Sequence, residues 1–231
     1  RALVAKYNGM GYRDARIIRD TNYRVDDELI NIEITVEEGR KYYFGDISFV
    51  GNTKYDTPLL RSILKINRGD IYDSQHLNER VSFDANGNDV ASIYLNNGYL
   101  FSQVVPIEKN VQNDTIDVEI RIQEGRQATI RKVSITGNER TNDHVIYREV
   151  RTRPGDLFSK AMIQRTIREL SQLGYFDQTQ IGVNPVPDPQ TGTVDLEYTV
   201  VEKSTSQLEL QGGWGANRVV GTLGLNFNNF S

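Results

Sequence analysis

Ile47-Ser48-Phe49-Val50-Gly51-Asn52 returns 86 residues later as Val133-Ser134-Ile135-Thr136-Gly137-Asn138. The same offset carries Gly69-Asp70 onto Gly155-Asp156 and Glu38-Gly39-Arg40 onto Glu124-Gly125-Arg126. Independent landmarks sharing one offset identify a repeat, and a repeat has to be recognised before any single element is assigned. The Gly-Tyr pairs at 11–12, 98–99 and 174–175 are spaced by 87 and then 76 residues, so the last repeat is shorter within its second helical segment.

Each repeat shows the same internal order. A strand carries Ile47 and Phe49, or Val133 and Ile135, on one face and ends at Gly-Asn, a turn pair that tolerates positive φ. A short helix follows, started by Thr57 with Pro58 at the first helical position, or by Asn142 or Asp143 with Val145, Ile146 and Val150 pointing inward. After the Gly-Asp turn a second helix is expected. In the last repeat Ser159 is its N-cap, Ile163, Ile167, Leu170 and Leu173 form its apolar stripe, and Gly174 ends it. In the middle repeat Asp84-Ala85-Asn86-Gly87-Asn88 predicts a break, with helix resuming at Asp89 toward Tyr94.

Two strands close each repeat. Ile116, Val118, Ile120 and Ile122 alternate with polar residues, as do Val194, Leu196, Tyr198 and Val200, and in the first repeat Ile30, Ile32, Ile34 and Val36. Period-two alternation predicts one buried and one wet face. The strands before them, Val104 to Glu108 and Gln178 to Asn184, are weaker. Pro106 sits inside one and Pro185 closes the other, so both are expected at sheet edges. The fold class is α+β: β-α-α-β-β modules, each with two helices on one face of a three-stranded mixed sheet whose last strand is central. The linker at Glu124-Gly125-Arg126 is short, so the modules articulate without swinging freely.

From Ser206 the composition changes. Leu208 and Leu210 alternate with Gln207, Glu209 and Gln211 before Gly212-Gly213-Trp214-Gly215. Ala216-Asn217-Arg218 reads as a turn, and Leu223, Leu225 and Phe227 alternate again. Two Gly-rich strands with one apolar side fit the start of an outer-membrane barrel, and also fit a soluble β-hairpin. The chain starts mid-pattern at Arg1-Ala2-Leu3 and stops after a strand pattern at Asn228-Asn229-Phe230-Ser231, so it reads as a piece of a longer polypeptide.

Composition excludes several functions. The 231 residues have a net charge of −4, which argues against a nucleic-acid partner, and they include no cysteine, which removes disulfides, thiolate catalysis and cysteine-based zinc sites. No run of ~18 apolar residues exists for a transmembrane helix. No Gly-x-Ser-x-Gly, phosphate loop or dinucleotide fingerprint occurs, so no catalytic residue and no cofactor is expected. Arg68-Gly69-Asp70 occupies the place of Pro154-Gly155-Asp156 and reads as a shared turn rather than an integrin-type tripeptide. Asp84, Asn86 and Asn88 suggest a calcium loop, but such a loop needs Gly sixth and Glu twelfth, where this chain has Asp89 and Leu95. His76 and His144 occupy unmatched positions and predict no metal site.

Gly137-Asn138-Glu139-Arg140-Thr141-Asn142-Asp143-His144-Val145-Ile146 with Arg148-Glu149, then Pro154-Gly155-Asp156-Leu157-Phe158 and Leu170 to Phe176, closely resembles the last POTRA module of BamA-family outer-membrane assembly factors. Val201-Glu202-Lys203-Ser204 resembles the passage into their barrel, whereas Trp214–Asn217 departs from the more regular Gly-Tyr pattern of the family. The resemblance implies that residues 1–40 are the C-terminal part of a third POTRA module, 41–126 a complete fourth and 127–204 a complete fifth, with 205–231 the first two barrel strands. It implies a non-enzymatic insertase in the bacterial outer membrane, this fragment lying in the periplasm. The partners implied are a BamD-like periplasmic lipoprotein, other assembly-complex subunits, unfolded outer-membrane proteins and, through the barrel, outer-membrane lipid. Client-binding edge strands are expected at Gln103, Val104, Val105 and Ile107 and at Gln178, Thr179, Gln180 and Ile181. The lipoprotein contact is expected at Arg148 and Glu149, although sequence alone also allows Glu149 to be a solvated charge. The barrel seam is expected at Gln207, Leu208, Glu209, Leu210 and Gln211. A two-partner secretion transporter and a barrel-free POTRA scaffold are the alternatives.

Overall fold

The computed structural model describes residues 2–26, 29–203, 206–215 and 218–227. In its middle part, β3 (Tyr43–Val50) is followed by α2 (Thr57–Leu64), α3 (Ser74–Asn78), a π-helical turn at Glu79–Phe83, α4 (Val90–Asn96), β4 (Gln103–Gln112) and β5 (Thr115–Gln123). The sheet order is β3-β5-β4, with β5 parallel to β3 and antiparallel to β4. The strand with strict alternation is therefore central and the proline-bearing strand lies at an edge. Ile116, Val118 and Ile120 are at most 1% exposed and pack with Phe44, Leu60, Leu64, Val81, Val90 and Tyr94. Burying each such Ile or Leu contributes about 1.5–3 kcal/mol.

Local chemistry explains the helix boundaries. Asp56, rather than Thr57, caps α2 by accepting the Leu59 amide at 3.2 Å. The Asp84–Asn88 break is present: the Asp84 carboxylate folds the loop onto itself by accepting the Asn86 and Asn88 amides at 2.7 and 3.2 Å. Asp89 then caps α4, accepting the Ser92 amide and hydroxyl at 2.8 and 2.7 Å while almost fully buried.

The last module repeats this plan with β6 (Thr129–Thr136), α5 (Asp143–Glu149), α6 (Lys160–Gln172), β7 (Gly182–Asp188) and β8 (Thr193–Thr199) in the order β6-β8-β7. One continuous helix, α6, stands where the middle module spends residues 74–96 on two helices and a loop, which accounts for the shorter repeat spacing. Ser159 directly precedes α6, and Ile163 and Leu170 are buried with Ile167 and Leu173 half-buried beside them. The Gly-Asn turns need glycine on two counts. Gly51 and Gly137 have φ of 90° and 92°, and a Cβ would stand 2.0 Å from the Ile122 carbonyl oxygen or 1.9 Å from that of Val200. The asparagines act through their side chains: Asn52 Nδ2 donates to the Tyr55 carbonyl at 3.0 Å, and Asn138 Nδ2 donates to the Thr141 carbonyl at 2.9 Å.

The N-terminal part comprises α1 (Ala2–Gly9), β1 (Arg16–Arg24) and β2 (Ile30–Glu37), the two strands pairing antiparallel. These match α4, β4 and β5 in the repeat. The expected buried face is not buried: Ile30, Ile32 and Ile34 are 65%, 63% and 43% exposed, whereas their repeat mates Ile116, Val118 and Ile120 are covered. The physical reason is the partner layer. In the middle module α2, α3 and β3 complete the cover, and among the described residues of 1–40 no element corresponds to them. At the C-terminal end β9 (Ser206–Gly215) pairs antiparallel with β10 (Arg218–Phe227). The first two residues of the turn expected at 216–218, and the side-chain orientations expected along 207–211, lie outside what the structure describes.

Candidate binding edges and the last-module charge cluster

A three-stranded sheet has two edges, and in each complete module one of them is occupied by the module itself. The Gly-Asp turn lies along β3, where Phe44 N–H donates to the Asp70 carbonyl and Gly69 N–H to the Phe44 carbonyl, both at 2.8 Å. Ile130, Asp156 and Gly155 repeat those two bonds at 2.8 Å on β6. Further along, the Arg61 guanidinium donates to the Ile47 carbonyl at 2.7 Å, and at the equivalent point the Tyr147 hydroxyl donates to the Val133 carbonyl at 3.3 Å. Different side chains at one repeat position thus cover the same backbone acceptor. The edges left are those of β4 and β7.

The structure places Gln103, Val104, Val105 and Ile107 on β4, with Val105 exposed and Val104 turned into the core. Gln178, Thr179, Gln180 and Ile181 are not on a strand, which corrects that expectation. Residues 178–180 form a 3-10 turn, because the Asp177 carboxylate accepts the Thr179 amide and hydroxyl at 2.9 and 2.7 Å and the Gln180 side-chain amide at 2.9 Å. A carboxylate that satisfies three nearby donors competes with a ladder. These bonds also hold the Asp177 carboxyl below its ordinary pKa, the Thr179 hydroxyl contributing most. The edge strand itself is Gly182–Asp188, so Pro185 lies within it rather than closing it, and Pro187 follows.

Arg148 and Glu149 end α5. Glu149 is not a solvated charge. Its side chain is 19% exposed, with Arg148 Nε at 3.0 Å from one oxygen and Arg151 Nη2 at 3.6 Å from the other. Arg151 is also paired with Glu169, which Arg165 Nε approaches at 2.9 Å. The Glu169 carboxyl is held below its ordinary range, first by Arg151 and then by Arg165. The cluster therefore alternates in sign, with Arg148 its most exposed member at 73%.

Gln207, Leu208, Glu209, Leu210 and Gln211 lie on β9 and pair with Asn226, Leu225, Gly224, Leu223 and Thr222. His76 and His144 are exposed, and among the described residues no group of three or more His, Asp or Glu is placed to hold a metal. Arg68 of the Arg-Gly-Asp tripeptide pairs with Asp46 at 2.8 Å, and Asp70 accepts the Asn67 amide at 2.7 Å, so the tripeptide is a turn.

Sequence reasoning missed a pair of glutamates. Glu124 accepts the Thr53 and Lys54 amides at 2.7 Å each, and Glu202 accepts the Arg140 and Thr141 amides at 3.1 and 2.6 Å. Each glutamate follows its module's central strand and fixes the turn leaving that module's first strand. For Glu124 the Glu-Gly-Arg landmark was the available signal, but it reads as a linker, and Glu202, followed by Lys203-Ser204, lacks it. Glu108 was also missed as a junction residue: Arg13 Nε and Nη2 donate to its two oxygens at 3.2 and 2.5 Å, and the Tyr72 hydroxyl donates at 2.5 Å.

Comparison with known proteins agrees with this geometry. Residues 42–125 and 128–203 each match the family model described as POTRA, surface antigen variable number repeat. The outer membrane protein assembly factor BamA of Neisseria meningitidis is 31% identical over 90% of this chain and 26% of its own length. A putative outer membrane protein assembly factor of Treponema pallidum is 29% identical over 90% of this chain and 25% of its own. The chain thus spans about a quarter of the relatives it matches. The crystal structure of Haemophilus influenzae BamA POTRA3-5 superposes with a TM-score of 0.71 at 21% identity, covering 87% of this chain and 78% of that one. A likeness at that identity is one of fold.

Proposed function

Since the chain belongs to the POTRA family, we propose that it is the periplasmic part of an outer-membrane protein insertase, receiving unfolded β-barrel clients and helping to fold them into the outer membrane. The observation that carries this reading is one continuous order: complete modules whose Gly-Asp turns lie along one sheet edge and leave the opposite edge strand, β4 or β7, without them, running at Glu202–Lys203 into a Gly-rich antiparallel strand pair. A free edge offers main-chain hydrogen bonds, which suit clients that differ in sequence but share strands. Residues 1–40, 41–126 and 127–204 are then the end of a third POTRA module, a fourth and a fifth, and 205–231 the first barrel strands.

On this reading Arg148 and Glu149 meet a BamD-like lipoprotein, and Gln207–Gln211 form a weakly closed barrel seam. Gly212, Gly213 and Gly215 in β9 loosen the ladder there, because a strand glycine brings no side chain to pack. The relatives are named as assembly factors, and the chain works by binding rather than by chemical catalysis. The test is reconstitution of the full-length protein in liposomes with a urea-denatured barrel client. Faster client folding than in empty liposomes is expected, and an unchanged rate rejects the reading. The secretion-transporter alternative predicts export of one cognate protein with no acceleration of unrelated barrels.

A further inference from the structure

The two free edges differ in their supply of donors. Within a strand, the N–H and C=O groups of alternate residues point to opposite sides. Just past β8, the Val200 amide donates to the carbonyl of Thr136, the last residue of β6, at 2.9 Å, so Val194, Leu196 and Tyr198, in step with it, also face β6. Their partners in β7 are Pro187, Pro185 and Val183, whose backbone groups must therefore face away from β8. The free side of β7 loses its donors at both prolines and keeps that of Val183.

In the middle module the two-residue turn at Asn113-Asp114 makes Gln112 and Thr115 a hydrogen-bonded pair. Counting back, Val111 faces outward. Across the bulge between Glu108 and Asn110 so do Glu108, Pro106 and Val104, which lie opposite Val118, Ile120 and Ile122. The Ser82 hydroxyl donates to the outward carbonyl of Val104 at 3.1 Å, as this orientation requires. The N-terminal half of β4 is thus closed by Pro106 and Ser82, while Glu108 and Val111 keep outward amides. The two registers make the contrast direct. Leu196 and Val194 occupy the places of Val118 and Ile116, so Pro185 and Pro187 stand where β4 has Glu108 and Val111.

We infer that Pro185 and Pro187 close the last module to strand addition, and that an incoming extended polypeptide pairs with the Glu108–Gln112 half of β4. This rests on the reading that these modules receive client strands. Prolines are a recognised way of blunting an edge, and a strand held through acceptors alone forms only part of its ladder. The partner is an unfolded segment of alternating apolar and polar residues, recognised through its backbone.

The experiment uses the 231-residue chain, isotopically labelled, titrated with a soluble peptide of alternating valine and threonine as long as β4 and observed by amide resonances. Shifts are expected at Glu108 and Val111 and not at Val183. Val111→Pro should weaken binding at least tenfold while circular dichroism stays unchanged, and Pro185→Val with Pro187→Val should add a second site on β7. Peptide shifts along β7 in the unsubstituted chain, or no second site in the double variant, overturn the role of the prolines and leave the client reading standing. Binding that survives Val111→Pro overturns the β4 assignment. No shift on either edge overturns the client reading as well.

Discussion

Glu124 holds Thr53 twice: one carboxylate oxygen accepts the Thr53 amide at 2.7 Å, and the other receives its hydroxyl. The Lys54 amide and the Tyr94 hydroxyl add to the same carboxylate. Burial alone would raise the Glu124 pKa. The bonds from Thr53, Lys54 and Tyr94 outweigh it, and the carboxyl is held below its ordinary value. A lowered folded-state pKa contributes stability that is present above the unfolded value of about 4.3 and is lost as pH falls through the folded value. Glu124→Ala should therefore destabilise the middle module by roughly 1–2 kcal/mol at pH 7. The difference from the unsubstituted chain should shrink in acid. Urea unfolding at neutral and acidic pH checks this, and an equal difference at both would show that the charge is not the cause.

Glycine substitutions in the paired turns should rank by what a Cβ would meet. Gly137→Ala combines φ of 92° with a Cβ 1.9 Å from the Val200 oxygen, whereas Gly155→Ala has φ of 95° and nothing within 4 Å. The second substitution carries only conformational strain, about 1–3 kcal/mol, and the first adds a backbone collision. Urea midpoints should place Gly137→Ala clearly lower, and equal midpoints would reject the steric account.

Thr166 is a buried polar residue on α6, in step with the apolar stripe. Its hydroxyl accepts the Arg151 amide at 2.9 Å and donates to the Met162 carbonyl at 3.0 Å. Thr166→Val keeps the shape and removes both bonds, leaving the Arg151 amide without its partner. The expected cost is about 1–3 kcal/mol in thermal or urea unfolding. Thr166→Ser, which keeps the hydroxyl, should recover part of it.

Legibility followed the range of the interaction. The 86-residue offset and the period-two strands depend on neighbours and on repetition, and they yielded the β-α-α-β-β order, the central strands and the Asp84–Asn88 break. Thr166 and Glu124 act across 15 and about 70 residues of sequence, where no periodicity marks them. Gln178–Ile181 failed locally: strand-like residues were captured by the Asp177 carboxylate. Ile30, Ile32 and Ile34 carry the pattern of a buried face, yet burial depends on a covering layer and not on the strand alone. Edge selection required the register, because a proline blunts an edge only when its missing N–H points outward.

The Glu149 cluster changes how a lipoprotein contact should be tested. Arg148 and Arg151 already face the Glu149 carboxylate, and Glu169 holds Arg151 from the other side. An arginine from a partner would have to replace Arg148, the more exposed of the two, so binding would be an exchange of ion pairs rather than capture of a bare charge. Glu149→Lys puts a third cation beside two arginines and weakens the module independently of any partner. Glu149→Gln removes the charge while keeping the shape, and Arg148→Ala removes the competitor. If the partner presents a cation, Glu149→Gln should lower affinity by about 2–5 kcal/mol, chiefly through faster dissociation, whereas Arg148→Ala should leave affinity equal or higher. If the partner presents an anion, the order reverses and Arg148→Ala becomes the damaging change. Surface plasmon resonance on both variants, with unchanged melting temperature as the control, separates the two signs. Loss of binding in neither would remove this cluster from the interface.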